Sequence, residues 1–396
     1  MQAFNMTRTA WLTCLVAALF PFYSFFQMNL FNVMGPHLVE ANHFTLFQVG
    51  LLSASFLYAQ AALLIIAGLI LDRYSTRRII LIAMTMVATG TLMFAFGHSI
   101  GVLFFARILT GCAHAFAILG CFQLIVRYFP VDKNSLLMGI VITIALCGGL
   151  CAQTPFLLVV NTLGMHTAML LNALLGYVIT ILLFGVLVDP PPQNENNRVA
   201  IEKIPILLQL KTIMTTMQNW LCGFYASIMS FPLLVLGAAW GASYLVDAHM
   251  ISKLEATSAT LMIFIGMIIG TPIAGAIADF SKYKRNVLIA SPALMALVFL
   301  IIILFKPLPL SILILLFFIK GLLSGPQVLV YPMIVSNNNP QLAGLALGFS
   351  STLIILCGAI AQTLLSGLAA TLGFDLAIFL LPMALLLCVI LALKIK

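Results

Sequence analysis

Twelve long apolar runs follow one another along this chain of 396 residues. A helix of about 20 apolar residues rises about 30 Å, which matches the hydrocarbon core of a bilayer. Backbone polar groups in that core must be bonded within the segment, so each run predicts a membrane-spanning helix. The predicted spans lie at about 10–38, 46–71, 77–97, 100–128, 134–160, 166–188, 218–246, 256–279, 286–305, 309–335, 341–368 and 375–394.

The composition agrees with a protein that lies mostly in lipid. Hydrophobic residues make up 63% of the chain and charged residues 7%, whereas about 25% of the residues of a soluble domain are charged. A soluble globular class is therefore excluded. The eight cysteines fall in apolar runs without CxxC pairs, so we expect buried thiols, no metal and no cofactor. The first run is longer than a signal-peptide core and has no cleavage site, so we expect it to be retained.

One polar segment interrupts the regular succession of spans. It begins DPPPQNENNRVAIEK at residue 189, where three prolines end a helix. We expect a linker at 189–217 between six-helix bundles at 1–188 and 218–396. The expected fold class is an all-α polytopic membrane protein with twelve transmembrane helices in two pseudo-symmetric bundles.

The basic residues indicate the orientation of the chain, because short cytoplasmic loops retain lysine and arginine. Those of the loops and termini fall on one side of the predicted spans, except Lys253 and Lys306. Both termini and the linker are then cytoplasmic, in a multi-pass protein of the bacterial inner membrane. The net charge of +8 reflects this topology rather than nucleic-acid binding. The expected partners are the lipid bilayer and a small-molecule substrate, and we expect a monomer.

The two halves of the sequence repeat one another. Asp72 and Asp279 are 207 residues apart in the similar stretches GLILDRYSTRR and GAIADFSKYKR. A similar offset separates TLGMHTA at 162–168 from TLGFDLA at 371–377, and LCGGLCAQT at 146–154 from LCGAIAQT at 356–363. The repetition indicates duplication of a six-helix bundle. Two parallel repeats enclose a cleft that opens alternately to each side of a membrane.

The stretch after the second span resembles the signature loop of the major facilitator superfamily. The matching residues are Gly68, Asp72, Arg73, Arg77 and Arg78, whereas Ser75 stands where the family usually has glycine. The second half keeps Gly275, Asp279, Lys284 and Arg285, with Phe280 replacing a basic residue. Arg107 and Gly111 match the family's R-x-x-x-G signature in the fourth span. The resemblance covers essentially the whole chain and implies transport by alternating access, without naming the substrate.

The signature residues also suggest a gate. A carboxylate at the end of one half can lie against the positive N-terminal end of a helix from the other half. For Asp72 we expect the eleventh span, where Asn339 and Pro340 suit an N-cap and a first helical residue, and for Asp279 the fifth. The basic residues would pair locally with acids or lipid headgroups. The alternative is a topology anchor without a gating role.

Few ionisable groups lie within the apolar runs. They are Arg107 and His114 in the fourth span and Lys320 in the tenth, and no Asp or Glu lies in the middle of a span. A charge in hydrocarbon is costly and marks a functional site by default. Basic groups from both halves suggest an anionic substrate that Arg107 would orient and Lys320 would attract. Arg107 could instead bond helix backbone, and His114 could serve only helix packing.

Polar and aromatic side chains lie at similar depths: Tyr23, Gln27, Asn29, Asn32, Gln60, Gln123, Gln153, Tyr225, Trp240, Tyr244, Gln327, Tyr331 and Gln362. We expect Tyr23, Gln27, Gln327 and Tyr331 to bind substrate, because the first, fourth, seventh and tenth spans line the cavity in the resembled fold. Helix packing alone also uses such groups.

The expected function is secondary transport of a small, carboxylate-bearing solute. Without a membrane carboxylate, His114 could carry a coupled proton in symport, although uniport stays open. The fifth span lacks the Gly-Pro pair of many drug antiporters in this superfamily, which favours uptake. The alternatives are an efflux carrier for drugs or siderophores and, more remotely, a transporter-like sensor. No nucleophile–base set or phosphate-binding loop indicates an enzyme.

Overall fold

The apolar runs form helices, as their hydropathy predicts. The computed structural model describes residues 2–42, 44–97, 99–129, 131–189, 206–279, 284–338 and 342–395, and these residues form helices and no strand. Twelve helical segments among them are long and apolar enough to cross a membrane. They confirm the predicted spans, which we number 1 to 12 in chain order.

Half of the spans are continuous helices. These are span 2 (Leu46–Arg73), span 3 (Thr76–Phe96), span 6 (Met165–Val186), span 8 (Lys253–Asp279), span 9 (Lys284–Leu304) and span 11 (Ala343–Leu372). A further helix, Ile206–Thr215, precedes span 7. The sequence did not predict this helix, which lies in the segment expected to be a linker.

The remaining spans are interrupted. Span 1 consists of Gln2–Ala17, Leu19–Asn29 and Phe31–Asn42, span 4 of Ile100–His114 and Ala117–Tyr128, and span 5 of Val131–Cys151 and Thr154–Leu163. Span 7 consists of Met217–Met229, the π-helix Pro232–Trp240 and Gly241–His249, and span 10 of Leu310–Ser324, the 3₁₀-helix Gly325–Leu329 and Val330–Ser336. Span 12 consists of Phe374–Ala377 and Leu380–Lys394. Spans 1, 4, 7 and 10, which the resemblance places around a central cavity, are therefore all irregular.

The sequence explains two of these interruptions. Pro232 begins the π-helical segment of span 7, and Pro326 lies in the 3₁₀ segment of span 10. Proline lacks a backbone N–H and cannot complete the α-helical bond ladder. Departures from α-helix often mark functional positions.

The duplication is visible in the turns between spans. Gly164 joins spans 5 and 6 with φ 78°, and Gly373 joins spans 11 and 12 with φ 80°. Only glycine adopts such a conformation without strain. The two glycines are the repeated glycines of TLGMHTA and TLGFDLA, 209 residues apart.

Close helix contacts are duplicated as well. A Cβ at Gly111 of span 4 would lie 2.2 Å from the Phe56 carbonyl oxygen of span 2. A Cβ at Gly321 of span 10 would lie 2.1 Å from the Ile263 carbonyl oxygen of span 8. Spans 2 and 4 in one half, and 8 and 10 in the other, therefore pack backbone to backbone.

The halves meet along three pairs of spans. Span 2 packs along span 11, span 5 against span 8, and span 1 against span 7. Within the first half, span 4 packs between spans 2 and 3; within the second, span 9 packs against span 12. The contacts of spans 1, 5, 7 and 8, together with the contact of spans 2 and 11, form the surface where the two halves are bonded.

Candidate functional site

Polar side chains join the two halves inside the membrane. Nδ2 of Asn32 on span 1 donates to Oε1 of Gln153 on span 5 at 2.5 Å and to Oγ1 of Thr260 on span 8 at 2.9 Å. Its Oδ1 accepts from the backbone N–H of Ala242 on span 7 at 2.8 Å. Gln153 donates to the Gly237 carbonyl oxygen at 2.8 Å. One buried asparagine thus bonds to three spans, two of them in the opposite half.

Further bonds continue this contact, which we call the inter-half seam. Thr154 of span 5 bonds to Ser258 of span 8 at 3.2 Å, and Tyr58 of span 2 bonds to Thr363 of span 11 at 3.1 Å. The bonded side chains of the seam are Asn32, Tyr58, Gln153, Thr154, Thr257, Ser258, Thr260 and Thr363. All lie nearer the end of their span opposite the chain termini. The structure is therefore closed at that end of the membrane.

The π-helix of span 7 accepts bonds from both halves. Gln153 donates to the Gly237 carbonyl oxygen, and Gln362 of span 11 donates to the Leu234 carbonyl oxygen at 2.5 Å. These two glutamines occupy the repeated AQT positions of the sequence. A π-helix leaves carbonyl groups outside the regular α-helical ladder, and the two glutamines satisfy them.

Arg107 lies between the first four spans of its half. It is 4% exposed, and its guanidinium carbon lies 4.5 Å from the ring centroids of both Phe31 and Phe56. Nη1 donates to the Gln27 carbonyl oxygen at 3.0 Å and Nη2 to the Ser53 carbonyl oxygen at 3.4 Å. Arg107 thus binds helix backbone, which is the structural alternative that the sequence left open. Its Nε has no hydrogen-bond partner among the described residues.

A cavity of about 10 Å³, room for one water molecule, adjoins Arg107. Its lining includes Gln27, Phe31, Thr91, Thr110 and Met169. The cavity lies within the first half, so it is separate from the surface between the halves.

His114 contacts the ring of Phe56, which Arg107 also contacts. Its imidazole centroid is 5.1 Å from that of Phe56 and 5.4 Å from that of Phe25. Nδ1 has no hydrogen-bond partner among the described residues. The two basic groups of span 4 that the sequence placed on one face therefore both contact the ring of Phe56.

Lys320 is enclosed within the second half. It is 0% exposed, and Nζ lies 3.3 Å from the ring centroid of Phe317 and 4.4 Å from that of Phe299 on span 9. Among the described residues Nζ has no hydrogen-bond partner. The structure shows no contact between Lys320 and Arg107, because each is enclosed by its own half.

Three of the four predicted polar residues bond within their own halves, and the fourth is Tyr331. Oη of Tyr23 donates to the Asn172 carbonyl oxygen at 2.9 Å, and Nε2 of Gln27 donates to Oδ1 of Asn172 at 3.0 Å. Gln327 accepts a bond from the Ser230 hydroxyl, which joins spans 10 and 7. Tyr331 is half-buried in span 10. These contacts support helix packing in the closed state.

The signature loop holds spans 3 and 6 together. Ser75 caps span 3 by accepting from the Arg78 backbone N–H at 3.2 Å. The Asp189 carboxylate accepts from the Ser75 hydroxyl at 2.5 Å and from the Arg77 backbone N–H at 3.0 Å. Arg77 donates to the Phe184 carbonyl oxygen at 3.0 Å. Serine at the usual glycine position therefore has a capping role in this chain.

The second copy of the loop keeps one of these contacts. Arg285 donates to the Leu393 carbonyl oxygen of span 12 at 3.2 Å, as Arg77 does to span 6. The exposed Arg78 makes no inter-half bond that the structure shows, and a Cβ at Gly68 would meet no described atom within 4 Å. The remaining gate predictions fall on side chains or residues outside the described part: Asp72, Arg73, Gly275, Asp279, Lys284, Asn339 and Pro340.

Sequence reasoning missed several of these residues. Thr260 and Asp189 were not predicted, and Asn32 and Gln153 appeared only in a wider set of polar residues. The repeated AQT stretch was a signal for Gln153. For Asp189, its place before three prolines indicated a helix end and gave no bonding partner.

Comparison with known sequences agrees with this architecture. The sequence model of the Major Facilitator Superfamily matches residues 17–246. The probable sulfoacetate transporter SauU of Cupriavidus necator is 22% identical over 283 residues, 68% of this chain and 65% of that protein. The hexuronate transporter of Bacillus subtilis is 22% identical over 272 residues, 66% of this chain and 63% of that protein. The match thus spans less than two thirds of the length of either relative.

Solved structures show the same fold. A bacterial homologue of the human lysosomal transporter Spinster, in an inward-facing and unoccupied conformation, superposes with a TM-score of 0.76 at 15% identity, covering 98% of this chain and 95% of that one. A variant of the nucleoside transporter NupG superposes with a TM-score of 0.75 at 14% identity, covering 97% of this chain and 99% of that one. With more than half of its length matched by the family model, the chain belongs to the major facilitator superfamily.

Proposed function

We propose that this protein is a secondary transporter that carries a small organic anion across the membrane by alternating access. The family is one of transporters rather than enzymes. The carried solute has a carboxylate or a similar acid group. In this proposal the halves rock against each other so that the seam opens and closes, and the solute binds between them.

The distribution of charge carries the assignment to anions. Arg107 and Lys320 lie deep in the membrane, whereas all ten acidic residues lie outside the middle of the predicted spans. Lys320 has no counter-charge that the structure shows, only two aromatic faces. An unpaired basic residue in a membrane interior is costly unless it serves a function. A solute anion is the partner that such a group would bind.

We assign different roles to the two basic residues. Lys320 contacts the acid group of the solute after span 10 shifts, because the side chain is enclosed in the closed state. Span 10 can shift at the 3₁₀ segment Gly325–Leu329, which follows Lys320 by five residues. Arg107 is a positioning residue that ties span 4 to the backbone of spans 1 and 2. His114, Tyr23, Gln27, Gln327 and Tyr331 complete the proposed solute contacts.

The names of two relatives support the proposed substrate class. Sulfoacetate and hexuronates are both organic anions, and the proteins named for them share 22% identity with this chain. We propose uptake of such a solute into a bacterial cell, with the termini and linker in the cytoplasm of an inner-membrane protein. The seam then closes the external side, and Asp72 and Asp279 belong to the gate on the cytoplasmic side.

Uptake into proteoliposomes tests this function. Purified protein is supplied with radiolabelled galacturonate, sulfoacetate, galactose and choline in parallel. We expect uptake of at least one of the anions and none of the neutral sugar or the cation. Lys320→Gln should raise the KM for the carried anion about ten- to hundredfold, which corresponds to loss of a charge-assisted bond of about 1.5–3 kcal/mol.

Lys306→Gln is the matched control, because Lys306 lies at the membrane surface in an ion pair with Asp375. It should leave the KM unchanged. Uptake of choline instead of either acid, or an unchanged KM in Lys320→Gln, would reject the anion assignment and favour efflux of a drug.

A further inference from the structure

We propose that Lys320 also binds the coupled proton, so that one proton and one solute anion cross the membrane together. The inference rests on the proposed transport of an organic anion and adds its energy source. The surroundings of the amine set how readily Lys320 holds a charge.

The described surroundings of Lys320 are almost entirely apolar. The side chain is fully buried, and Nζ contacts the ring faces of Phe317 and Phe299 without a hydrogen-bond partner among the described residues. An ammonium group loses its hydration on burial, and aromatic faces return only part of that stabilisation. A neutral amine loses much less. The closed state without solute therefore favours a deprotonated Lys320.

The groups on the neighbouring spans leave this preference intact. Spans 7, 8, 9 and 11 pack against span 10. Apart from cysteines, their ionisable groups with described side chains are Tyr225, Tyr244, Asp247 and His249 on span 7, Lys253 and Glu255 on span 8, and Arg285 on span 9. The carboxylates among them stand at the ends of their helices, and Asp375 of span 12 is paired with Lys306. None of these acids is shown in contact with Nζ.

His249 lies beside Tyr244 on span 7, with ring centroids 6.0 Å apart. Its Nδ1 accepts a bond from the Leu308 backbone N–H at 3.2 Å, so its proton lies on Nε2. Nε2 and Oη of the adjacent Tyr244 are buried without described partners. Both residues lie at the end of span 7 opposite the termini. The structure shows no hydrogen bond between these groups and Nζ of Lys320.

The geometry assigns the proton to Lys320 rather than to His114. His114 and Arg107 contact the same Phe56 ring. A proton on His114 would place a second positive charge close to the guanidinium group of Arg107, and like charges oppose one another. Among the described residues, no basic side chain is shown in contact with Nζ of Lys320.

The transport cycle then balances in charge and protons. The neutral amine of Lys320 accepts a proton as the solute carboxylate binds, and the ammonium–carboxylate pair is neutral overall. After the halves rock, the carboxylate leaves and the ammonium group releases its proton on the same side. One monoanion and one proton cross per cycle, without net charge movement.

The variant Lys320→Arg keeps the positive charge but cannot release a proton, because arginine stays protonated in proteins. With galacturonate as the probe, wild-type protein should accumulate the anion when the outside is acidic. Lys320→Arg should accumulate at least about tenfold less galacturonate than wild-type protein. It should still exchange galacturonate across the membrane when the pH is equal on both sides. Lys306→Arg, the same change at a surface ion pair, should behave as wild type. A potassium diffusion potential should not alter wild-type accumulation.

A second measurement needs no variant. When galacturonate is added to weakly buffered wild-type protein, the protein should take up about one proton for each anion that it binds, because binding and protonation are linked. Accumulation by Lys320→Arg equal to wild type, or anion binding without proton uptake, would overturn the inference and leave anion transport standing. Absence of transport of any acid by wild-type protein would instead overturn the proposed function.

Discussion

Replacing Asn32 by alanine should open the seam. Asn32 makes two bonds to the opposite half, one to Thr260 and one from the backbone of Ala242. Its third bond, to Gln153, stays within its own half. The change therefore removes contacts that exist between the halves only when this end of the membrane is closed.

The size of the effect follows from those contacts. A hydrogen bond contributes about 0.5–1.5 kcal/mol net, and a buried donor left unpaired costs about 1–3 kcal/mol. In Asn32→Ala the bond to Thr260 is lost, and the Ala242 N–H loses its acceptor. The closed state should be destabilised by about 2–4 kcal/mol relative to a state in which these groups meet water. The ratio of open to closed molecules should rise about 30- to 700-fold.

Distances between spin labels measure that ratio. Labels on cysteines introduced at Phe47 and Leu372, both exposed at the closed end of spans 2 and 11, report the separation of the halves in a background without the eight native cysteines. Asn32→Ala should add a population at longer distance. Asn172→Ala is the matched control, because Asn172 accepts a bond from Gln27 within one half.

A distance distribution of Asn32→Ala equal to that of the parent protein would contradict the role of these bonds in closing the seam. So would opening of the seam by Asn172→Ala as far as by Asn32→Ala. In that case general loosening of the bundle, rather than loss of inter-half bonds, would explain the opening.

Three further changes test the helix contacts. Asp189→Ala removes the carboxylate at the start of span 3 and should cost about 0.5–2 kcal/mol, seen as a lower melting temperature in detergent with transport largely kept. Gly164→Ala forces a side chain into a positive-φ turn and should cost about 1–3 kcal/mol; Gly185→Ala, in open space on span 6, should not lower the melting temperature. Gly321→Ala places a methyl group against the Ile263 carbonyl oxygen, so it should separate spans 8 and 10 and reduce the yield of folded protein; a normal yield would contradict the close packing.

The course of the chain through the membrane could be predicted from hydropathy. A span must be apolar over its whole length, so the change from polar to apolar residues marks where it begins. The predicted start of span 3 is therefore within one residue of the observed start at Thr76. The turn glycines Gly164 and Gly373 were visible as repeated sequence before their conformation was known. The interruptions of spans 1, 4, 7 and 10 were not predicted, because an apolar run looks alike in α-, π- and 3₁₀-helix.

The candidate site was predictable only in part. Arg107 and Lys320 stood out because charges are rare in the apolar runs. Their aromatic neighbours did not, since Phe31, Phe56 and Phe299 are three of 29 phenylalanines. The bond between Asn32 and Thr260 depends on how spans 1 and 8 are rotated about their helix axes. The hydropathy of two helices that both face the protein interior does not determine that rotation. The roles of these residues in binding stay predictions.

The π-helix Pro232–Trp240 is a segment of span 7 whose winding can change. Its turns hold more residues than α-helical turns, and each residue displaced on conversion to α-helix would turn the segment beyond Gly241 by about 100°. That segment carries the Ala242 N–H that bonds Asn32, together with Tyr244 and His249. That rotation would therefore break the Asn32–Ala242 bond of the seam and reorient Tyr244 and His249 in one movement. Opening of the seam and exposure of these two buried polar groups would then be two results of the same rotation.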